Sequence, residues 1–376
     1  METTDRSTTA ATADIKDIET RISDTDRRIA ELFEERMHAV RDEELYRSAH
    51  GLPASDPARD ADMLEKLSAL ISDDSLRAYY INFMRGMLGI SDRYRHRLAK
   101  GMRIAYSGVE GAYANIAARK IFPDGKAIGF PGFGAAYDAV TSGECDCAVL
   151  PIENSYAGDV GQVIDLMYTG SLHVSGMYTL RVSHSLLCVP GATADDIRKV
   201  VSHPQALMQC DNYIRRFGFE TVQASSTADA AKLVAENADI HTAAIASRET
   251  AEIYGLEAID HDINESSVNT TRFAVFSPSE DTSARGKDNR FILIFTVSNV
   301  AGALAKAISV IGSYGFSMSS LRSRPRKESA WEYYFFAEIE GDETGDAGRA
   351  MISELSRFCD TVKTVGHYCS VTDLSR

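Results

Sequence analysis

Residues 145–158 read Cys145-Asp-Cys-Ala-Val-Leu-Pro-Ile-Glu-Asn-Ser-Tyr-Ala-Gly158. The first half is short, apolar and β-prone, as expected of a buried strand. Pro151 should end that strand, leaving Glu153-Asn154-Ser155 on a loop at its carboxyl end. Ligands of open α/β sheets bind at that edge. A carboxylate, an amide and a hydroxyl in a row there suit a polar small-molecule site. Equally, Asn154-Ser155 could form only a turn that caps the next helix.

The surrounding chain has 376 residues, enough for two or three domains. Hydrophobic residues make up 44% and charged residues 25%, which fits a globular protein. No apolar run approaches the roughly 18–20 residues that span a bilayer, and the first residues lack the apolar core of a signal peptide. A cytoplasmic location is therefore expected. A net charge of −14 argues against nucleic acid or an anionic membrane as partner. The six cysteines include Cys145 and Cys147, too close together for a zinc knuckle and without a nearby Cys/His pair. Core thiols, no disulfide and no metal are expected.

Upstream, residues 1–13 are rich in Thr and Ala and are expected to be disordered. From Asp14, Ile15, Ile18, Ile22, Ile29, Leu32, Phe33, Met37 and Val40 recur at helical period to about Ser48. Pro57 opens a short helix, and a third follows from about Ser75 to Ala99. Such an all-α module over 14–100, with one very long helix, cannot bury its apolar faces alone, which predicts an intertwined dimer. Asp26, Leu32-Phe33-Glu-Glu-Arg36-Met37, Tyr46-Arg47 and Gly51-Leu-Pro-Ala-Ser-Asp56-Pro-Ala-Arg59-Asp60 resemble the all-helical chorismate mutase domain. The resemblance implies that Arg36, Arg47, Asp56, Arg59, Asp60 and Ser91 contact chorismate, a dianion rearranged by positioning and electrostatics. Glu19 falls where the family has an arginine and Arg95 where it has a glutamine. A carboxylate in place of a cation repels a dianion. Both a weakened mutase and a decayed one kept for dimerisation are compatible with this pattern.

Lys100-Gly101 is a natural joint, after which short apolar strands alternate with helices in the βαβ rhythm of a mostly parallel sheet. Two such series over 102–278 predict two lobes with a cleft between them. The turn Ser107-Gly108-Val-Glu-Gly111-Ala-Tyr113 could offer backbone N–H groups to an anion, but lacks the nicotinamide and nucleotide fingerprints.

Four motifs then occur in order: Pro151-Ile-Glu-Asn-Ser155, Ser202-His-Pro-Gln205 with Gln209, Ser226-Thr-Ala228 and Asn269-Thr-Thr-Arg-Phe273. Together they resemble prephenate dehydratases. That family's fold is two α/β lobes, similar to a type II periplasmic binding protein, with the catalytic cleft between them. The implied reaction expels carbon dioxide and the 4-hydroxyl from prephenate. Aromatisation drives it, so no cofactor is expected. The resemblance implies that Thr271 hydrogen-bonds the departing hydroxyl, with Glu153 as the acid behind it. It also implies that Asn154, Ser155, Ser202, Gln209, Arg272 and Gly111 contact substrate; Arg272 could instead hold the lobe together.

After a linker over 279–289, residues 290–376 predict the order βαββαβ, the ferredoxin-like α+β plan. Gly302-Ala303-Leu304 and Ser323-Arg324-Pro325 resemble the two motifs of the ACT domain, which implies L-phenylalanine as effector. Arg322 stands where that family has a glutamate. The whole chain thus resembles bifunctional chorismate mutase/prephenate dehydratases, expected as homodimer or homotetramer. Arogenate remains an alternative substrate, and a non-catalytic amino-acid sensor an alternative function.

Overall fold

The computed structural model describes residues 5–52, 57–266, 268–280, 289–327 and 331–375, which divide into two compact units meeting near Gly101. The first contains helices α1 (Asp5–Ala49), α2 (Pro57–Ser68) and α3 (Asp74–Lys100). At 45 residues α1 is about 67 Å long. It begins at Asp5. Ser91 and Met84 of α3 and Val40 of α1 are buried, whereas Ile15, Ile18, Ile22, Ile29 and Leu32 stand exposed.

The second unit opens with β1 (Arg103–Ser107), α4 (Tyr113–Ile121), β2 (Lys126–Phe130), α5 (Phe133–Thr141) and β3 (Cys147–Asn154). A two-residue β4 (Gly158–Asp159), α6 (Gly161–Thr169) and β5 (His173–Arg181) complete this stretch. The chain then crosses to a second lobe made of β6 (Ser185–Cys188), β7 (Lys199–Ser202), α7 (Pro204–Gln209), α8 (Asp211–Phe217) and β8 (Glu220–Gln223). That lobe ends with α9 (Thr227–Asn237), β9 (Thr242–Ala246), α10 (Arg248–Tyr254) and β10 (Glu257–Asp260). The chain returns to the first lobe as β11 (Thr270–Ser277).

The strand order β5-β11-β3-β1-β2 makes the first sheet, and β10-β6-β9-β7-β8 the second. Each lobe has its own core, so the expectation of two α/β lobes holds. Two features differ from it. β3 runs through Pro151, because β1 pairs only with Cys147–Val149 and a register shift opposite Arg272/Phe273 leaves Ile152 as an extra residue. A bulge thus absorbs the missing N–H of the proline. β5 is a nine-residue strand where none was expected; its burial does not alternate, so its pattern carries no period-2 signal.

The small C-terminal part has β12 (Arg290–Thr296), α11 (Ala303–Ser313), β13 (Ser317–Pro325), β14 (Tyr333–Glu340), α12 (Asp346–Leu355) and β15 (Thr361–Tyr368). Its antiparallel sheet runs β13-β14-β12-β15, the ferredoxin-like connectivity. Phe291, Leu293 and Phe295 face α11 and α12. On the other face Ile292, Ile294, Tyr334, Phe336, Val365 and Tyr368 join the core of the first lobe with Ile164, Met167 and Val174. Gly366 permits this approach: at φ +144° it sits where a Cβ would lie 2.3 Å from the Val174 carbonyl oxygen. Lys363 Nζ donates to the Met167 and Tyr168 carbonyls at the end of α6, at 2.7 and 3.2 Å. Finally β16 (Thr372–Asp373) pairs in parallel with β5 of the first sheet.

The described cysteines are mostly buried, and burial pushes Cys145 to about 11 and Cys210 to about 12. Among the described residues no helix is long and apolar enough to cross a membrane. Nor is any group of three His, Cys, Asp or Glu side chains among them placed to hold a metal.

Candidate active site

Between the two lobes lies a cavity of about 390 Å³. The first lobe supplies Asn154 from β3, Thr271 and Phe273 from β11, and the opening of α4 at Ala112–Ala114. The second supplies Gln209 from α7 and Ser226-Thr227 from α9, while His184 and Asn269 come from the two crossings.

Hydrogen bonds fix the direction of each polar group. Asn154 Oδ1 accepts from the backbone N–H groups of Tyr156 and Ala157 at 3.0 and 2.8 Å, an Asx turn. The side chain thus makes the expected turn and also lines the cavity. Its Nδ2 donates to Asn269 Oδ1 at 2.8 Å and Thr271 Oγ1 at 3.0 Å. Since Thr271 Oγ1 accepts from Asn154, its own O–H is left to donate. Thr271 is 8% exposed, at the cavity wall. Asn269 Nδ2 donates in turn to Gln209 Oε1 at 3.1 Å, and His184 Nε2 meets the same oxygen at 3.0 Å. Burial lowers the His184 pKa despite its bond to Gln209, which favours the neutral ring.

No lysine or arginine lines the cavity among the described residues, and Asp159 at its rim is paired with Arg322 at 2.9 Å. Positive potential comes instead from helix starts. Ala112 gives α4 no side-chain cap, and Ala112–Ala114 at the start of that helix line the cavity. α9 also begins there, capped by Ser226 Oγ on the Asp229 N–H at 3.0 Å. Phe133 and Phe273 add aromatic walls. Such a site can hold an anionic ring compound with neutral donors and offer it an oriented hydroxyl hydrogen bond.

Several sequence-derived positions lie elsewhere. Glu153 and Arg272 sit opposite each other in the β3–β11 register, next to Asn154 and Thr271 but on the other face of the sheet. Successive strand residues point to opposite sides, so Glu153 cannot share the hollow with Thr271. Its Oε2 pairs with Arg272 at 3.2 Å and with Arg322 at 2.8 Å. Arg272 also pairs with Glu338 at 3.1 Å, a contact of the kind the domain-holding alternative requires. Ser155 Oγ accepts from the Thr270 N–H at 3.0 Å and is outside the cavity lining. Ser202 is buried and donates to the Ile245 carbonyl at 2.6 Å, tying β7 to β9. Gly111, at φ +84°, accepts from Thr250 Oγ1 at 3.0 Å and braces the lobes away from the cavity.

In the helical unit Arg36 donates to Ser91 Oγ at 2.5 Å, while Arg47 and Arg95 both pair with Glu43 at 3.0 and 3.1 Å. Asp56 is outside the described residues, and so are the side chains of Arg59 and Asp60. In the small sheet Gly302 starts α11 in a left-handed conformation, followed by Ala303 and Leu304. β13 alternates, so Ser323 and Pro325 face out while Arg324 turns in to Asp165 at 2.8 Å. The three are not on one face.

Reading the sequence did not identify His184, Tyr113 or a role for Asn269. A Ser-His-Ser run between two apolar strands, where the chain changes lobes, is the signal that was available.

Residues 104–281 match the prephenate dehydratase family and residues 18–95 the chorismate mutase type II family. A bifunctional chorismate mutase/prephenate dehydratase of Neisseria gonorrhoeae is 34% identical, over 83% of this chain and 85% of that protein. Arogenate dehydratase/prephenate dehydratase 2 of Arabidopsis thaliana is 32% identical, over 71% and 72%. Among solved structures, GqqA, described as a novel type of quorum quenching acylase, shares 32% identity with a TM-score of 0.67, covering 71% of this chain and 98% of that one. The Arthrobacter aurescens prephenate dehydratase in complex with L-Phe shares 25% identity with a TM-score of 0.66, covering 72% and 90%. With a mutase-like module fused to a dehydratase core, the chain belongs to the bifunctional chorismate mutase/prephenate dehydratase family of aromatic amino acid biosynthesis.

Proposed function

We propose that the cavity binds prephenate and converts it to phenylpyruvate. The ring carboxylate leaves as carbon dioxide, its bonding pair flows through the ring, and the C4–O bond breaks. The departing hydroxyl takes a proton and leaves as water. The observation that carries this reading is Thr271, held inside the cavity with Asn154 donating to its oxygen, so that its proton points onward. Threonine is a poor acid, so its part is an oriented hydrogen bond to the leaving oxygen, with the net proton drawn from water. Helix starts and the Gln209 amide suit the two carboxylates of the substrate without a buried cation.

Thr271→Val keeps the shape and removes the donor. Phenylpyruvate formation from prephenate should fall by about 10²–10³, and near-normal turnover by a folded variant would overturn the assignment. Arogenate carries an amine where prephenate has a keto group. The Arabidopsis relative bears both names, so turnover of the two substrates is to be compared side by side.

Mutase activity should be weak, because Arg47 and Arg95 are engaged by Glu43 and Glu19 opposes a dianion; brisk conversion of chorismate would refute this. The exposed isoleucines of α1 suit a second copy of the chain. The small domain is read as an ACT domain, and phenylalanine should lower dehydratase turnover.

A further inference from the structure

We propose that His184 is a positioning residue that sets the direction of the Gln209 carboxamide, so that its NH₂ group rather than its oxygen is presented to the ligand. His184 is 2% exposed, lines the cavity, and lies on the segment where the chain first crosses between lobes. Its Nε2 is 3.0 Å from Gln209 Oε1. An amide oxygen accepts only, so Nε2 carries the ring proton. Asn269 Nδ2 donates to the same oxygen at 3.1 Å. The two lone pairs of Oε1 are thus occupied on the protein side, and both Gln209 N–H groups remain for the cavity.

Turning the amide over would set its NH₂ against the Asn269 N–H, whose sense is fixed by Asn154 donating to Asn269 Oδ1, and would force the His184 proton from Nε2 to Nδ1. That arrangement is costly for buried groups. At the other ring nitrogen, Tyr113 Oη lies 3.3 Å from Nδ1 but spends its own proton on the Ser183 carbonyl at 2.6 Å, so with the ring proton on Nε2 it gives Nδ1 no hydrogen bond, and the Gln209 side alone selects the tautomer. The His184 backbone N–H donates to Asn264 Oδ1 at 3.0 Å, which holds the residue from a second side. An amide oxygen facing a carboxylate would repel it, whereas N–H groups attract it. In a cavity without a lysine or arginine on its lining among the described residues, the sense of this one amide dipole has a large effect on anion affinity. The inference rests on the reading of the cavity as a site for a dianionic substrate.

The test has two arms. Nitrogen-resolved NMR of histidine-labelled full-length protein, with the His184 signal identified by its loss in His184→Leu or His184→Gln, should show the Nε2–H tautomer. An Nδ1–H tautomer would overturn the proposal, whatever the enzyme turns over. In the kinetic arm, His184→Leu should raise KM for prephenate by about 10- to 100-fold, the range of a hydrogen bond to a charged group. His184→Gln, which can place an amide N–H near the Nε2 position, should return KM to within about threefold of the parent. A leucine variant within threefold of the parent, or a glutamine variant no better than leucine, would overturn it. Should His184→Leu fail to fold, the tautomer and His184→Gln decide the matter. Should the parent protein not turn over prephenate, the functional reading fails while the tautomer still reports on His184.

Discussion

Replacing Arg272 with methionine should destabilise the protein far more than it disturbs substrate binding. The Arg272 guanidinium is shared between Glu153, at 3.2 Å, and Glu338, at 3.1 Å. Burial disfavours its charge, but Glu338 and Glu153 outweigh that and hold its pKa above the ordinary arginine value. Glu153 retains Arg322 when Arg272 is removed. Glu338 is 2% exposed, and among its described ion pairs Arg272 is the partner. An uncompensated buried carboxylate costs about 3–5 kcal/mol. Replacing both members of such a pair by apolar groups of similar size is often neutral or better. Arg272→Met/Glu338→Leu should therefore recover most of the loss, with a coupling of at least about 2 kcal/mol. Urea unfolding followed by circular dichroism measures all four corners of this cycle. Prephenate KM should stay within about threefold, because Arg272 points away from the cavity. A single variant within about 1 kcal/mol of the parent, or one of normal stability with a greatly raised KM, would refute the reasoning.

Asp165 gives a pH test. Its burial would raise the carboxyl pKa, but hydrogen bonds from Arg324, Tyr334 and Lys327 outweigh this and bring it from 3.8 down to about 2. Its stabilising contribution is complete above pH 3.8 and is lost as pH falls toward 2; Asp165→Asn should flatten that part of an acid-unfolding curve. Arg322→Glu would set a third carboxylate beside Glu153 and Asp159, and should cost at least about 2 kcal/mol in denaturation and raise KM through the cavity rim. Lys363→Met would leave the Met167 and Tyr168 carbonyls without their charged donor. It should cost about 1.5–3 kcal/mol, seen as faster amide hydrogen exchange in α6.

The two-lobed plan was legible because apolar strands and helices alternate with clear punctuation, and Asn154, Gln209 and Thr271 do meet in one cavity. The assignment of Glu153 failed for a local reason. Pro151 suggested a strand end, and on a loop adjacent side chains have no fixed sense; a bulge lets the strand continue, and alternation then separates Glu153 from Asn154. Ser202 failed differently, since its β-strand end lies at the expected edge yet its hydroxyl is used by the Ile245 carbonyl. The charge reversal at Arg322 could not be explained from the sequence, because its partners Glu153 and Asp159 lie more than 160 residues away and are brought near only by the packing of β13. His184 was hidden because its partners come from both lobes.

The small sheet shares its inner apolar face with the first lobe, and the chain's last strand returns to that lobe's edge at Thr372–Asp373. Cutting the chain before Arg290 would consequently strip β5 of β16, leaving β11 as its neighbour, and open Ile164, Met167 and Val174 to water. A truncated enzyme that no longer responded to an effector could simply be a damaged enzyme. Transplanting a foreign C-terminal module would require redesigning the seam around Gly366 and Lys363 as well as the joint. The portion that resembles an add-on is structurally a wall of the house.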